Sequence, residues 1–165
     1  MFPQPNWLIK YEDYTEAIYK RPGATEFLEY CFRTFRAVGI WTASISERAK
    51  SIITALLPPG RSLAFLFTRE HCQKSKTNEY HKPLSYLWNC PVLRKAGFSP
   101  SNTILIDDNP YCSTLDNLIH IPSYIEPNPD DHVLIHLVKH LSNITKSGDD
   151  VRNCDKSTFR RLVHV

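Results

Sequence analysis

Residues 103–109, Thr-Ile-Leu-Ile-Asp-Asp-Asn, decide how this chain is read: an apolar run stops abruptly at two adjacent carboxylates. The pattern predicts a buried strand that delivers acid to its carboxyl end. In a parallel α/β sheet that end is where ligands bind, and paired acids there suit a hard cation such as Mg²⁺. Asp107-Asp108-Asn109-Pro110 also reads as a turn opened by turn-forming residues, and the tetrapeptide alone leaves both readings open.

Outward from this strand, helices and strands alternate. Thr25 to Arg36 predicts a helix whose apolar face is Phe27, Leu28, Cys31, Phe32 and Phe35. Residues 37–41, an unalternating apolar run, predict a strand covered on both faces that ends in Thr42-Ala43-Ser44. Ser46 opens a second helix that Pro58-Pro59-Gly60 terminates, residues 63–67 predict another strand, and residues 68–81 are polar and irregular. A helix over 84–96, disturbed at Pro91, closes at Gly97. Residues 118–121 are the last expected strand, and a final helix has the core face Val133, Leu134, Leu137, Val138 and Leu141. This alternation predicts a parallel, doubly wound α/β sheet. Residues 1–18 are expected to be an irregular N-terminal segment, 19–144 the domain, and 145–165 a polar tail.

Composition narrows the function classes. With 165 residues the chain is expected to be one domain, and 20 Lys+Arg against 17 Asp+Glu leave a formal charge of +3, which gives no electrostatic argument for nucleic acid. Five cysteines, Cys31, Cys72, Cys90, Cys112 and Cys154, form no Cys-x-x-Cys pair and suggest a reducing compartment. No apolar run has the length of a membrane span, and residues 1–6 show neither a secretory nor a mitochondrial leader pattern.

Three polar signals fall at the ends of elements that such a fold gathers at one edge: Thr42, Lys82 and Asp107-Asp108. A hydroxyl can hydrogen-bond a phosphoryl oxygen, an ammonium can neutralise its charge, and carboxylates can bind Mg²⁺ that shields the rest. Other groups read as structural. His132, His136 and His140 are expected on a solvated helix face, and Trp41 and Trp88 in the core or a pocket wall. His71-Cys72 with His81 and Cys90 matches no common zinc spacing, and Arg160-Arg161 is expected at a solvated end.

Four stretches, Arg21-Pro22-Gly23 with Phe27-Leu28, Ile40-Trp41-Thr42-Ala43-Ser44, Lys82-Pro83-Leu84 with Leu87-Trp88, and residues 102–108, occur in series. In this order they resemble the FCP/SCP-type (NLI-interacting-factor-like) phosphatases of the haloacid dehalogenase superfamily, in a divergent eukaryotic branch, over roughly residues 19–142. The resemblance implies a haloacid-dehalogenase-like, Rossmannoid three-layer fold and a Mg²⁺-dependent protein serine/threonine phosphatase. It implies that Thr42 holds the transferred phosphoryl group, that Lys82 steadies the charged intermediate, that Asp107 pairs with the lysine, and that Asp108 ligates Mg²⁺. A phosphoprotein substrate or protein partner, a monomer, and a nuclear or cytoplasmic location follow as expectations.

One departure weighs against activity. Members of the family begin with a strand ending in Asp-x-Asp, whose first Asp attacks phosphorus and whose second is the general acid and base. No Asp-x-Asp occurs here, and Glu12-Asp13-Tyr14-Thr15 lies too close to Arg21-Pro22-Gly23, with no apolar strand before it. The sheet is therefore expected to lack that first strand, the chain as given to be inactive, and Mg²⁺ binding to be weak or absent. A truncated product of a longer phosphatase and a genuine chain that has lost catalysis both fit. Truncation is the expectation, because retaining Thr42, Lys82 and both aspartates has no physical reason without a phosphate to bind. The rival is a non-catalytic binding module resembling the presequence-receptor subunit of the mitochondrial inner-membrane import translocase, which would require an upstream targeting segment and a mitochondrial location.

Overall fold

The structure is a computed structural model and describes residues 4–11, 13–76, 79–156 and 159. Glu12, the first three residues of the N-terminal reading, and Arg160-Arg161 lie outside the described residues.

The segment expected to be irregular begins with a hairpin. β1 (Trp7–Lys10) pairs antiparallel with β2 (Thr15–Ile18), in the register Trp7 opposite Ile18. Trp7, Ile9, Glu16 and Ile18 turn inward while their neighbours are exposed, as the two-residue period of a strand requires. The hairpin docks through a forked ion pair: the Arg48 guanidinium reaches both Glu16 carboxylate oxygens at 2.6–3.1 Å. The connecting turn has no Asn-Gly or Gly-Gly signal, and Leu8 and Ala17 face outward, so the sequence pattern was too faint to predict it.

α1 (Ala24–Thr34) starts at Gly23, whose positive φ of 76° favours glycine, and buries Ala24, Leu28 and Cys31. β3 (Ile40–Trp41) is followed by α2 (Ser46–Leu56), which ends before the two prolines, and by β4 (Leu66–Phe67). The expected single helix over 84–96 is two: α3 (Ser85–Asn89) and α4 (Pro91–Ala96), with Pro91 at the first position of α4, where its missing N–H costs nothing. β5 (Leu105–Asp107), β6 (Leu118–His120) and α5 (Val133–Ser147) complete the described elements.

β3 pairs parallel with β4, and β5 parallel with β6, as an α/β fold requires; the strands form separate two-stranded sheets. Side chains alternate between two cores. Ile104 and Ile106 pack with Ile119, Leu137 and Leu141 against α1 and α5, whereas Leu105 joins Trp41, Leu84, Leu87 and Leu93 against α3 and α4. Between the two parallel pairs lies a cavity of about 300 Å³, bounded by residues 37–41 on one side and 102–106 on the other.

The stretch expected to be a loose tail packs on this core. Val151 donates its N–H to the Ser101 carbonyl at 2.9 Å, and Phe159 is fully buried beside the His140 ring, 5.6 Å between centroids. His140 is accordingly buried rather than solvated. It follows Val133 by seven residues and precedes Ile144 by four, which places it on the same helical stripe. Among the described residues, no helix is long and apolar enough to cross a membrane.

Candidate active site

The carboxyl edge of β5 is built from the strand outward. Asn117, almost fully buried, donates its side-chain amide to the carbonyls of Pro100 and Thr103 at 2.7 Å, fixing the entry to β5. At the exit, Asp107 Oδ1 accepts the Asn109 N–H at 2.9 Å, an Asx-type turn that redirects the chain. Its other oxygen, Oδ2, receives the Lys82 ammonium, and both side chains are only 9 % exposed. A buried cation and anion in direct contact offset each other's desolvation, which is the condition for either to remain inside.

Lys82 is held from behind as well. Its N–H donates to the Cys112 carbonyl at 2.6 Å, and its carbonyl accepts the Ser113 hydroxyl at 2.8 Å. Cys112 is 1 % exposed, and burial, aided by the nearby Asp107 charge, pushes its thiol up to about 12. Asp108 points differently: the residue is exposed, and its carbonyl lies 3.0 Å from His120 Nε2.

Thr42 follows β3 directly. Its N–H donates to the Phe67 carbonyl at 2.8 Å, and Oγ1 accepts the Ser44 N–H at 3.1 Å. The Ser44 hydroxyl in turn accepts from Arg48, 2.8 Å away, so the loop after β3 shares an anchor with the N-terminal hairpin. A short series of contacts joins Thr42 to Lys82. The Cys72 thiol lies 3.8 Å from the Thr42 carbonyl, and the adjoining Gln73 exchanges two backbone bonds of 2.8 Å with His81. Thr42, Lys82 and Asp107 therefore lie along one edge, and Lys82 and Asp107 touch. Among the described residues no three His, Cys, Asp or Glu side chains are grouped as a metal shell.

Sequence reasoning missed Cys112 and Ser113, which grip the Lys82 backbone, and His120 beside Asp108. His120 could have been found: a parallel partner for β5 with an apolar Leu-Ile pair places its following residue opposite Asp107. The Glu16–Arg48–Ser44 series has no signal in sequence spacing, since 32 residues separate Glu16 from Arg48.

Residues 3–152 match the NLI interacting factor-like phosphatase family, a span that takes in the hairpin and Val151. The chain is also 32% identical over 145 residues to CTD phosphatase-like protein 355R of Invertebrate iridescent virus 3, covering 81% of this chain and 76% of the viral one. The chain belongs to the NLI interacting factor-like phosphatase family.

Proposed function

We propose that this chain is a haloacid-dehalogenase-like, three-layer phosphatase domain that recognises phosphoserine or phosphothreonine in a protein, and that as given it binds phosphate without hydrolysing it. The observation that carries this reading is the buried Lys82–Asp107 pair at the carboxyl edge of β5, on the same edge as the Thr42 hydroxyl. An incoming phosphoryl group finds there a hydroxyl donor and an ammonium already oriented by a carboxylate, so little reorganisation is required. Thr42 would hold the phosphoryl oxygens, Lys82 would stabilise their charge, and Asp107 would fix the lysine.

Mg²⁺ is commonly held by one or two carboxylates together with phosphate oxygens and waters. Asp108, exposed at the end of β5, is the residue that would hold it, since Asp107 is drawn onto Lys82. One protein carboxylate fits such an ion weakly, and when bound the ion would shield phosphate charge. The family resemblance supports an attacking Asp in an Asp-x-Asp segment, which this sequence does not contain.

The test is hydrolysis of an aryl phosphate by the 165-residue chain with Mg²⁺, together with titration by inorganic phosphate followed through amide shifts at Thr42 and Lys82. Turnover at background with saturable shifts at both positions is expected. Robust turnover that Asp108→Ala abolishes would show that a nucleophile operates within this chain. Absence of shifts at Thr42 and Lys82 would remove the phosphate reading.

A further inference from the structure

We propose that the groove beside Lys82, lined by Gln73, Pro83, Ser85, Tyr86, Asn89 and Cys90, is a specificity subsite for a phosphorylated peptide: it takes the uncharged amide side chain of an asparagine or glutamine within two residues of the phosphorylated one. The proposal rests on the phosphate reading of Thr42 and Lys82 and adds what the substrate carries next to its phosphate.

Two elements form the walls of this groove, a hollow of about 450 Å³. Ser85 and Asn89 stand one turn apart on α3, so their side chains share a face. Gln73 supplies the other wall from an extended segment, where it exchanges two backbone bonds of 2.8 Å with His81. The Tyr86 ring is held edge-on by Phe67, 5.4 Å between centroids, and lies 6.3 Å from Trp41, yet 47% of the residue is exposed. Tyr86 also donates its N–H to the Pro83 carbonyl at 2.9 Å, and Cys90 donates to the Tyr86 carbonyl at 3.2 Å. The lining is thus positioned by backbone bonds and ring packing, and its polar side chains stay unspent.

Those side chains set the chemistry of the occupant. The Gln73 and Asn89 amides and the Ser85 and Tyr86 hydroxyls have no hydrogen-bond partner among the described residues. Two primary amides and two hydroxyls offer donors and acceptors together, a set that an amide side chain, with two N–H donors and an acceptor oxygen, matches. Among the described residues no carboxylate, ammonium, guanidinium or imidazole lines the groove, so a charged side chain entering it would surrender water and gain no counter-charge. An aliphatic side chain would cover polar groups without bonding them, and sites built to hydrogen-bond a substrate group discriminate against analogues that lack it.

Position supplies the link to phosphate. Pro83 follows Lys82 directly, and Gln73 follows Cys72, whose thiol lies 3.8 Å from the Thr42 carbonyl. The groove therefore adjoins both residues that would hold the phosphoryl group. An extended peptide advances about 3.3 Å per residue, so a peptide phosphorylated at that point carries its first or second neighbour over the groove.

The probes are three fluorescein-labelled phosphoserine peptides, alike except that the two residues on either side of the phosphoserine are all asparagine, all alanine or all lysine. Each is titrated with the full 165-residue chain. The asparagine peptide is expected to bind about fivefold tighter than the alanine one, the worth of one neutral hydrogen bond, and tighter than the lysine one. The side-chain amide signals of Gln73 and Asn89 should shift with the asparagine peptide and stay in place with inorganic phosphate. Gln73→Glu combined with Asn89→Asp, both at exposed positions, should turn the preference toward the lysine peptide. Equal affinities for the three peptides, side-chain amide signals that move no more with the asparagine peptide than with phosphate, or an unchanged order of preference in the double variant would overturn the subsite; the phosphate reading would survive on the phosphate shifts at Thr42 and Lys82. Absence of those phosphate shifts would overturn both.

Discussion

Lys82 and Asp107, 25 residues apart in sequence, meet as a buried ion pair at the carboxyl end of β5. Removing one partner leaves an uncompensated charge inside, which typically costs about 3–5 kcal/mol. Lys82→Met should therefore lower the melting temperature sharply in calorimetry. Lys82→Met with Asp107→Leu should recover much of the loss, because an apolar pair of similar volume needs no counter-charge. Failure of the double variant to improve on the single one would show that packing, rather than charge, sets the effect.

His140 makes stability depend on pH on the acid side. Burial pushes its imidazole below the ordinary 6.5, with Asp155 partly opposing and Lys156 assisting. The unfolded chain then binds the proton more readily, so this stability is present above pH 6.5 and is lost as pH falls through the lowered folded value. Denaturant melts between pH 7.5 and 5 should show a decline that His140→Leu flattens, these pH values being roughly the range in which histidine titrates.

On the alkaline side the buried thiols act in the opposite sense. Burial pushes Cys31 up to about 12, and burial with the Asp107 charge does the same to Cys112. Each folded value lies above the ordinary 9.0, so the stabilisation is complete below pH 9 and is withdrawn as pH rises toward 12. Three pH units correspond to about 4 kcal/mol per thiol at full extent. Melting temperatures measured from pH 8 to about 11 should fall, and Cys31→Ala should remove part of that slope.

The Glu16–Arg48 pair is partly exposed, at 28% and 35% of the side chains, so its contribution to global stability is small, about 1 kcal/mol or less. Its local effect should be larger. Arg48→Ala is expected to speed amide exchange in β1 and β2 and at Ser44 while moving the melting temperature by only a few degrees. Unchanged exchange in the hairpin would show that Trp7 and Ile9 hold it alone.

The long periodic helices were legible because one stripe of apolar residues dominates each; α1, α2 and α5 lie close to where the pattern places them. Thr42, Lys82 and Asp107 were legible as positions because element ends can be read from composition, and their relative placement follows from parallel topology. Short strands were not. β3 and β4 have two residues each, within apolar runs of five, because only part of each run finds a partner. The hairpin and the packed segment around Val151 and Phe159 escaped because each depends on one or two apolar residues meeting distant ones. His140 was misplaced for a related reason: a polar residue at a core position breaks the visible stripe, although the helix has room for its ring beside Phe159.

Arg21 joins three places at once. Its guanidinium forks onto both Asp131 carboxylate oxygens at 2.8 and 3.0 Å and donates to the Pro122 carbonyl at 2.6 Å, partners 110 and 101 residues further along. Burial pushes the Asp131 carboxyl up, but Arg21 and the Val133 N–H outweigh it and hold it below the ordinary value, so the carboxylate is ionised opposite the guanidinium at neutral pH. A nascent chain leaves the ribosome at about 5–20 residues per second. The first helix of this domain can be anchored only once the turn before its last helix has emerged. The contact that ties the start of α1 to the turn before α5 is therefore among the last that synthesis allows to form.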